Sequence, residues 1–231
     1  MSNWSDRPIC AFDLETTGPD PSSARIVTAC VAMIDPPSPA VRHSRNWLVD
    51  PGIPIPEGAS RVHGITTEQA QTDGLTYLDG YSQIRGALHE AWDAGAVVVA
   101  FNATYDLTVI ATEGHRLGFP ALVPPLVVDP YVIDRERDRF RRGKRTLGDV
   151  CRQYGVRLDN SHEAQADAVA AAHLVGALLT KYPDIAELDI MVAQAAWHAE
   201  RQRSFADYLR RNGRDASDVN ADWPLRTAVR L

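Results

Sequence analysis

Two carboxylates close the first apolar stretch of the chain, where residues 8–12 lead into Asp13-Leu14-Glu15. Side chains alternate across a β-strand, so Asp13 and Glu15 would point to the same face. Neighbouring carboxylates repel each other unless a cation lies between them, and their hard oxygen atoms suit Mg²⁺ or Mn²⁺. A strand that ends in solvent would explain the two acids equally well. The rest of the chain must decide between these interpretations.

A third acid, Asp106, follows the apolar run over residues 96–101. It falls in the first turn of a predicted helix over residues 104–117, where the helix dipole favours an anion. The carboxyl ends of strands in an open α/β sheet form the crevice where ligands bind. Asp106 could therefore face Asp13 and Glu15. The alternative is an acid that only stabilises the helix dipole.

The fourth acid, Asp167, lies among alanines on a predicted buried helix, where an unpaired carboxylate would be costly. His162 precedes it by five residues, a spacing that would separate the two by about 140° on one continuous helix. The two side chains converge only if His162 lies in the turn before the helix. A lone loop histidine is more often a solvated surface residue, and this alternative stays open.

These residues need a sheet and flanking helices to bring them together. Three short-looped apolar runs, ending near residues 18, 34 and 49, predict an antiparallel meander. The wholly apolar run over residues 96–101 predicts a strand buried on both faces, as in parallel pairing, and residues 123–129 predict another. Helical spacing marks residues 76–94, 104–117, 146–154 and 164–182, with a short helix capped near Thr66. The pattern predicts an α/β fold with a mixed sheet flanked by helices.

Pro183 marks a change in character along the chain. Residues 1–182 are expected to form the main domain, and residues 183–231 a helical C-terminal extension of unknown role. Within this extension, residues 185–211 show one long helical pattern.

The net charge, the apolar runs and the cysteines of the chain argue against several classes of protein. The 231 residues carry a net charge of −6, which argues against a general nucleic-acid coat protein. No signal-peptide pattern and no run near the roughly 20 apolar residues of a membrane span is visible, and the three cysteines are scattered. We therefore expect a cytoplasmic protein without membrane association.

The arginine-rich segment over residues 135–145 is either a contact for a nucleic-acid backbone, with Phe140 stacking on a base, or a solvated loop.

Three motifs together resemble the DEDD superfamily of 3′–5′ exonucleases, in its histidine variant. They are FDLETTG, VAFNATYD and HEAQADA, and the resemblance covers about residues 8–180. The group includes proofreading subunits of bacterial DNA polymerase, ribonuclease T and oligoribonuclease. The resemblance implies a ribonuclease H-like fold and two divalent cations, Mg²⁺ or Mn²⁺. It further implies that Asp13, Glu15, Asp106 and Asp167 hold these cations and that His162 is the general base.

The same resemblance implies a set of substrate contacts. The VHGIT segment over residues 62–66 is similar to the family segment that packs on the terminal nucleotide. The implied substrate-binding residues are Leu14, Thr16, Thr17, His63, Ile65 and Asn102. Many relatives carry a histidine just before this asparagine, whereas this chain has Phe101. The resemblance therefore does not fix substrate positioning at that point, but the implied metal chemistry is unaffected.

The resulting expectation is a metal-dependent exonuclease that removes nucleoside monophosphates from the 3′ end of single-stranded or frayed DNA. An exoribonuclease on short RNA is the first alternative, because contacts to the 2′-hydroxyl cannot be read from the sequence. A non-catalytic nucleic-acid-binding or scaffold module is the second. Single-stranded DNA is the favoured partner over RNA, and association with a DNA polymerase or another protein is left open.

Overall fold

A central strand, β1 (Ile9–Thr16), joins the antiparallel and the parallel halves of one five-stranded sheet. The computed structural model describes residues 3–36, 38, 40–158 and 162–226. The other strands are β2 (Ile26–Ile34), β3 (Val41–Leu48), β4 (Val97–Val99) and β5 (Val127–Val128), in the spatial order β3-β2-β1-β4-β5. β1, β2 and β3 pair antiparallel, whereas β4 pairs parallel with β1 and with β5. The predicted mixed sheet with an antiparallel meander is confirmed.

Eight α-helices surround this sheet in the part of the chain that the structure describes. They are α1 (Glu57–His63), α2 (Thr67–Asp73), α3 (Tyr77–Asp93), α4 (Thr104–Arg116), α5 (Pro130–Arg137), α6 (Leu147–Tyr154), α7 (Ala164–Lys181) and α8 (Ile190–Arg211). Threonine side chains cap three of them: Thr66 accepts from the Gln69 amide, Thr76 from Asp79 and Thr146 from Asp149. Such caps satisfy amides that have no partner within the helix.

The two faces of β1 contact different helices. Cys10, Phe12 and Leu14 pack in the cluster that includes residues of α3 and α4. Ala11 points the other way and packs with Ala164, Ala168 and Ala172 of α7. Because the strand period is two, Asp13 and Glu15 share the face of Ala11. The acids of β1 therefore lie on the side of the sheet that α7 covers.

Two predicted boundaries need correction, and two helices were not predicted. The strand expected over residues 123–129 contains only Val127–Val128, since Pro124 and Pro125 have no amide hydrogen to donate to a sheet. The single helix expected over residues 185–211 is a 3₁₀ helix (Pro183–Glu187) followed by α8, which starts where the Asp189 side chain caps the Val192 amide. The sequence analysis also missed α1 and α5.

The residues after Pro183 contribute hydrogen bonds to the sheet edge. Gln194 of α8 is fully buried, donates to the carbonyl of Val127 and accepts from the amide of Asp129 at 2.7 Å. The division into residues 1–182 and 183–231 stays a prediction. Within the described residues, none of the helices combines the length and the apolar character that crossing a bilayer demands.

Candidate active site

The acidic edge of the sheet forms where β1 runs past its parallel neighbour. β4 pairs with β1 only over Ile9–Ala11, and β1 continues to Thr16. Beyond that pairing, the Leu14 amide donates to Oδ1 of Asp106, in the first turn of α4, at 3.1 Å. The β1–β2 register shifts between Glu15 and Thr16, an irregularity that re-aims side chains at strand ends. The Leu14–Asp106 hydrogen bond therefore brings Asp106 to the same edge of the sheet as Asp13.

α7 brings the remaining acid and the histidine to the same edge. Its alanines allow close approach to β1, and Asp167 lies in its first turn. His162 precedes the helix in a left-handed turn with φ of 74°, and its amide donates to Oδ2 of Asp167 at 3.2 Å. One ligand atom each from Glu15, His162 and Asp167 can be chosen so that all lie within 4.8 Å of one another. The turn before α7 thus provides the convergence that a continuous helix would have prevented.

The carboxylates destabilise one another's charged forms. Burial raises the pKa of Asp13 well above its usual range, and Asp106, Asp167 and Glu15 raise it further. Burial and Asp167 raise the pKa of Glu15 to about 7. Burial is also the main cause of the raised pKa of Asp106 and of Asp167. A site of this kind favours either bound protons or a bound cation.

The donor atoms fit a hard divalent cation. Oδ1 of Asp167 is buried and has no hydrogen-bond partner among the described residues. A buried carboxylate oxygen without a partner is costly unless a proton or a metal ion satisfies it. The available oxygens come from Asp13, Glu15, Asp106 and Asp167, the ligand chemistry that Mg²⁺ and Mn²⁺ prefer. These residues therefore suit the predicted cations.

The raised carboxyl pKa values predict how the cation-free protein responds to pH. Glu15 keeps its proton in the folded state to a pKa of about 7, whereas its ordinary value is 4.5. Unfolding then releases a proton between these values, so this contribution to stability is present at low pH and disappears as the pH rises through about 7. We expect the melting temperature in a chelator to fall between pH 5 and pH 8.

The comparison with Glu15→Gln isolates that effect. The amide cannot ionise, so the melting temperature of the variant relative to the unaltered protein should rise from pH 5 to pH 8. Adding Mg²⁺ or Mn²⁺ should oppose the destabilisation of the unaltered protein at pH 8, because the cation replaces the lost protons. If the melting temperatures of the two proteins differed by the same amount at pH 5 and at pH 8, the inferred repulsion between Glu15 and Asp167 would be wrong.

Several predicted substrate contacts surround the end of β1. Thr16 and Thr17 are buried, and the hydroxyl of Thr17 accepts from the Arg25 amide at 3.0 Å. Leu14 is buried in the core next to them. Tyr105, which the sequence analysis did not identify, bonds through its hydroxyl to the Thr16 hydroxyl and the Gly18 carbonyl. These contacts fix the position of the segment that directly follows β1.

The VHGIT segment lies at the end of α1, near the end of β1. Nδ1 of His63 accepts from the Ile65 amide at 3.2 Å, and burial lowers the pKa of His63 while an interaction with the Thr16 backbone raises it. Ile65 packs against Val27 and Ile55. The structure thus places His63 beside β1, while Ile65 also has a packing role. Contact of these residues with substrate stays a prediction.

Asn102 occupies a second left-handed turn, with φ of 64°, between β4 and α4. Its amide and that of Ala103 donate to the two carboxylate oxygens of Asp129 at 2.9 and 3.0 Å. Asp129 is buried, which raises its pKa to about 6, and it also caps α5. The sequence analysis missed Asp129, although Asp followed by Pro130 is a recognisable start of a helix.

Comparison with known proteins shows the family. A family model described as "Exonuclease", of the RNase T type, matches residues 10–175. The DNA polymerase III PolC-type of Streptococcus suis is 28% identical over 181 residues, covering 74% of this chain and 11% of that protein. The corresponding protein of Halalkalibacterium halodurans is 26% identical over 188 residues, covering 80% of this chain and 12% of that protein. The chain spans about a tenth of the length of these relatives.

Solved structures share the fold. E. coli exonuclease I in complex with a dA16 oligonucleotide has a TM-score of 0.66 at 16% identity, covering 87% of this chain and 45% of that one. Exonuclease I from Methylocaldum szegediense has a TM-score of 0.64 at 18% identity, covering 85% and 45%. The sheet topology agrees with the ribonuclease H-like architecture predicted from the motifs. Because the family model spans most of the chain, including all four acids and His162, this chain belongs to the exonuclease family of the DEDD superfamily.

Proposed function

We propose that this protein is a metal-dependent 3′–5′ exonuclease acting on single-stranded or frayed DNA, in the histidine variant of its family. The observation that carries the proposal is the convergence of Asp13, Glu15, Asp106 and Asp167 at one edge of the sheet, where burial raises the pKa of each carboxyl group. The solved relatives include an exonuclease bound to a DNA oligonucleotide, which favours DNA over RNA as substrate.

The side chains have separate tasks in this proposal. Asp13, Glu15, Asp106 and Asp167 would hold two divalent cations, Mg²⁺ or Mn²⁺, which when bound offset phosphate charge and lower the pKa of the attacking water. His162 accepts a proton from that water, whose oxygen then attacks the phosphorus. The bond to the 3′ oxygen of the preceding nucleotide breaks, and that oxygen gains a proton. A nucleoside monophosphate leaves, and the shortened strand keeps a 3′-hydroxyl.

The remaining residues position the strand. The turn at Asn102 is fixed by Asp129 and lies four residues before Asp106, so an asparagine side chain stands close to the acidic edge. His63 interacts with the backbone of Thr16 at the end of β1. The Thr16 hydroxyl bonds to Tyr105, which lies in α4 three residues after Asn102. We assign these two segments to the terminal nucleotide. A polymerase or other protein partner remains compatible with the PolC-type relatives.

Digestion of matched, 5′-labelled DNA and RNA strands tests the activity and its direction together. With Mg²⁺ or Mn²⁺, the labelled DNA should shorten progressively from its 3′ end, and a terminal 3′-phosphate should slow the reaction strongly. Excess chelator should stop it. RNA of the same sequence should be degraded more slowly.

A covalently closed single-stranded circle is the matched control for end recognition. It should resist digestion under conditions that consume the linear strand. Cleavage of the circle at the rate of the linear strand would identify an endonuclease, and faster digestion of RNA would move the assignment to an exoribonuclease. Immediate release of the labelled 5′ nucleotide would reverse the proposed direction.

A further inference from the structure

A second concave surface lies between α5 and α8. It is a cavity of about 640 Å³, which we call the α5–α8 cavity, and the loop after α5 closes one side. Five arginines line it, against two glutamates: Arg135, Arg139, Arg141, Arg145 and Arg201. A concentration of arginine in one cavity suits an anionic ligand, provided that the arginines are not already neutralised within the protein.

Three of the five arginines already have carboxylate partners. Arg141 and Arg145 both bind the fully buried carboxylate of Asp134 at 2.7 Å, and Arg139 pairs with Glu136 and Glu200. Without these two arginines the buried charge of Asp134 would be unpaired, so the contacts stabilise the fold. Within the segment over residues 135–145, Arg141 and Arg145 therefore have structural partners, whereas Phe140 is exposed; contact of the segment with a nucleic-acid backbone stays a prediction.

Arg135 and Arg201 form no ion pair with any residue in the described part of the chain. The guanidinium of Arg135 lies over the Tyr131 ring at 4.9 Å, and its Nε is buried without a hydrogen-bond partner among those residues. Burial lowers the pKa of Arg201, and the positive charges of Arg135 and Arg145 lower it further. These two cations thus repel each other across the cavity, and a bound anion would relieve the repulsion.

One residue that lines the cavity has a buried nitrogen without a hydrogen-bond partner among the described residues. His198 lines it from α8, is only 9% exposed, and its Nε2 has no hydrogen-bond partner among the described residues. A ligand with hydrogen-bonding oxygens would satisfy that nitrogen. Tyr131, Trp197 and the exposed Phe205 add aromatic rings. Arginines interleaved with aromatic rings are typical of sites for single-stranded nucleic acid.

The cavity adjoins the acidic edge through shared contacts. Tyr131 packs edge-on against Phe101 at 5.4 Å between ring centroids. Asp129 accepts from the amides of both Tyr131 and Asn102, so one carboxylate fixes the start of α5 and the turn beside the acids. A strand whose 3′ end lies at the acids could therefore continue past Phe101 towards the cavity.

We propose that the α5–α8 cavity binds the phosphate backbone of single-stranded nucleic acid upstream of the terminal nucleotide, with Arg135 and Arg201 as the phosphate contacts. This inference rests on the proposed function for the direction of the strand. The volume exceeds the needs of one phosphate, and the aromatic rings suit bases, so a nucleotide chain fits better than an isolated anion.

The test is the salt dependence of binding in excess EDTA, where no cleavage occurs. A fluorescent single-stranded DNA 20-mer is titrated with the full chain between 50 and 300 mM KCl. Arg135→Gln and Arg201→Gln should each reduce the slope of log affinity against log salt by about 0.7, which corresponds to about fivefold weaker binding at 0.1 M salt. Arg201→Lys should retain most of the slope because it keeps the charge.

Arg203→Gln is the matched control, since Arg203 is exposed on α8 outside the cavity lining. It should leave the slope unchanged. Slopes for Arg135→Gln and Arg201→Gln equal to that control would overturn the proposal. Equal weakening of inorganic phosphate and of the 20-mer would also overturn it, by indicating a site for an isolated anion. Cleavage with Mg²⁺ is measured separately, so loss of the proposed nuclease function would appear there and not in these slopes.

Discussion

Asp13→Asn should reduce the rate of DNA digestion by about 10³-fold or more, to the level seen in excess chelator. The charges of Asp106, Asp167 and Glu15 all act on the carboxyl group of Asp13, which therefore lies at the centre of the acidic edge. The substitution keeps the size of the side chain and removes one anionic ligand from the proposed cation site. Cation-assisted charge stabilisation amounts to several kcal/mol, and each 1.4 kcal/mol corresponds to about tenfold in rate.

The same variant should be more stable than the unaltered protein when no cation is present. Removing one carboxylate from a repelling cluster relieves the repulsion, so the melting temperature in chelator should rise at pH 8. Asp93→Asn, at the exposed end of α3, provides the control and should change neither property. Full activity in Asp13→Asn would remove the cluster from the mechanism, whereas a lower melting temperature would show that Asp13 supports the fold.

His162→Ala should have the second largest effect, a loss of about 10²–10⁴-fold in turnover. His162 is exposed and lies next to Glu15 and Asp167, as a base that receives a proton from water would require. Binding of divalent cations, measured by calorimetry, should largely persist because the four carboxylates remain. Imidazole added to the solution should restore part of the rate if the side chain acts as a proton acceptor.

Two outcomes would assign His162 differently. A strong loss of cation affinity in His162→Ala would make the residue a metal ligand, which its distance to Glu15 and Asp167 allows. Near-normal turnover would make it a surface residue beside the site. His43→Ala, an exposed histidine on the edge strand β3, should leave turnover and cation affinity unchanged.

The sequence was most informative where a local period determined the geometry. The two-residue period of β1 put Asp13 and Glu15 on one face, and the alanine pattern of α7 made Asp167 conspicuous as a charged residue near the sheet. Both inferences depend only on regular secondary structure. The uninterrupted apolar run of β4 likewise predicted a strand buried by parallel neighbours.

The features that sequence reasoning missed depend on contacts between distant segments. Asp129 reads as a helix cap, but its second role is to hold the Asn102 turn, 27 residues earlier. The arginines at 141 and 145 resemble surface charges until the buried Asp134 is placed between them. No periodicity records such pairings, because they follow from how α5 and the loop after it fold back on each other.

The length difference between β1 and β4 has a spectroscopic consequence. Past the end of β4, the Leu14 amide hydrogen points to a carboxylate of Asp106 where a strand would normally supply a peptide carbonyl. The strength of that hydrogen bond varies with the charge on the carboxylate, because a charged acceptor binds a donor more strongly than a neutral one. The chemical shift and the exchange rate of this single backbone amide therefore report whether Asp106 carries a proton, a negative charge or a metal ion. The isotope-labelled amide of Leu14 thus reports site occupancy without any change to the acidic side chains.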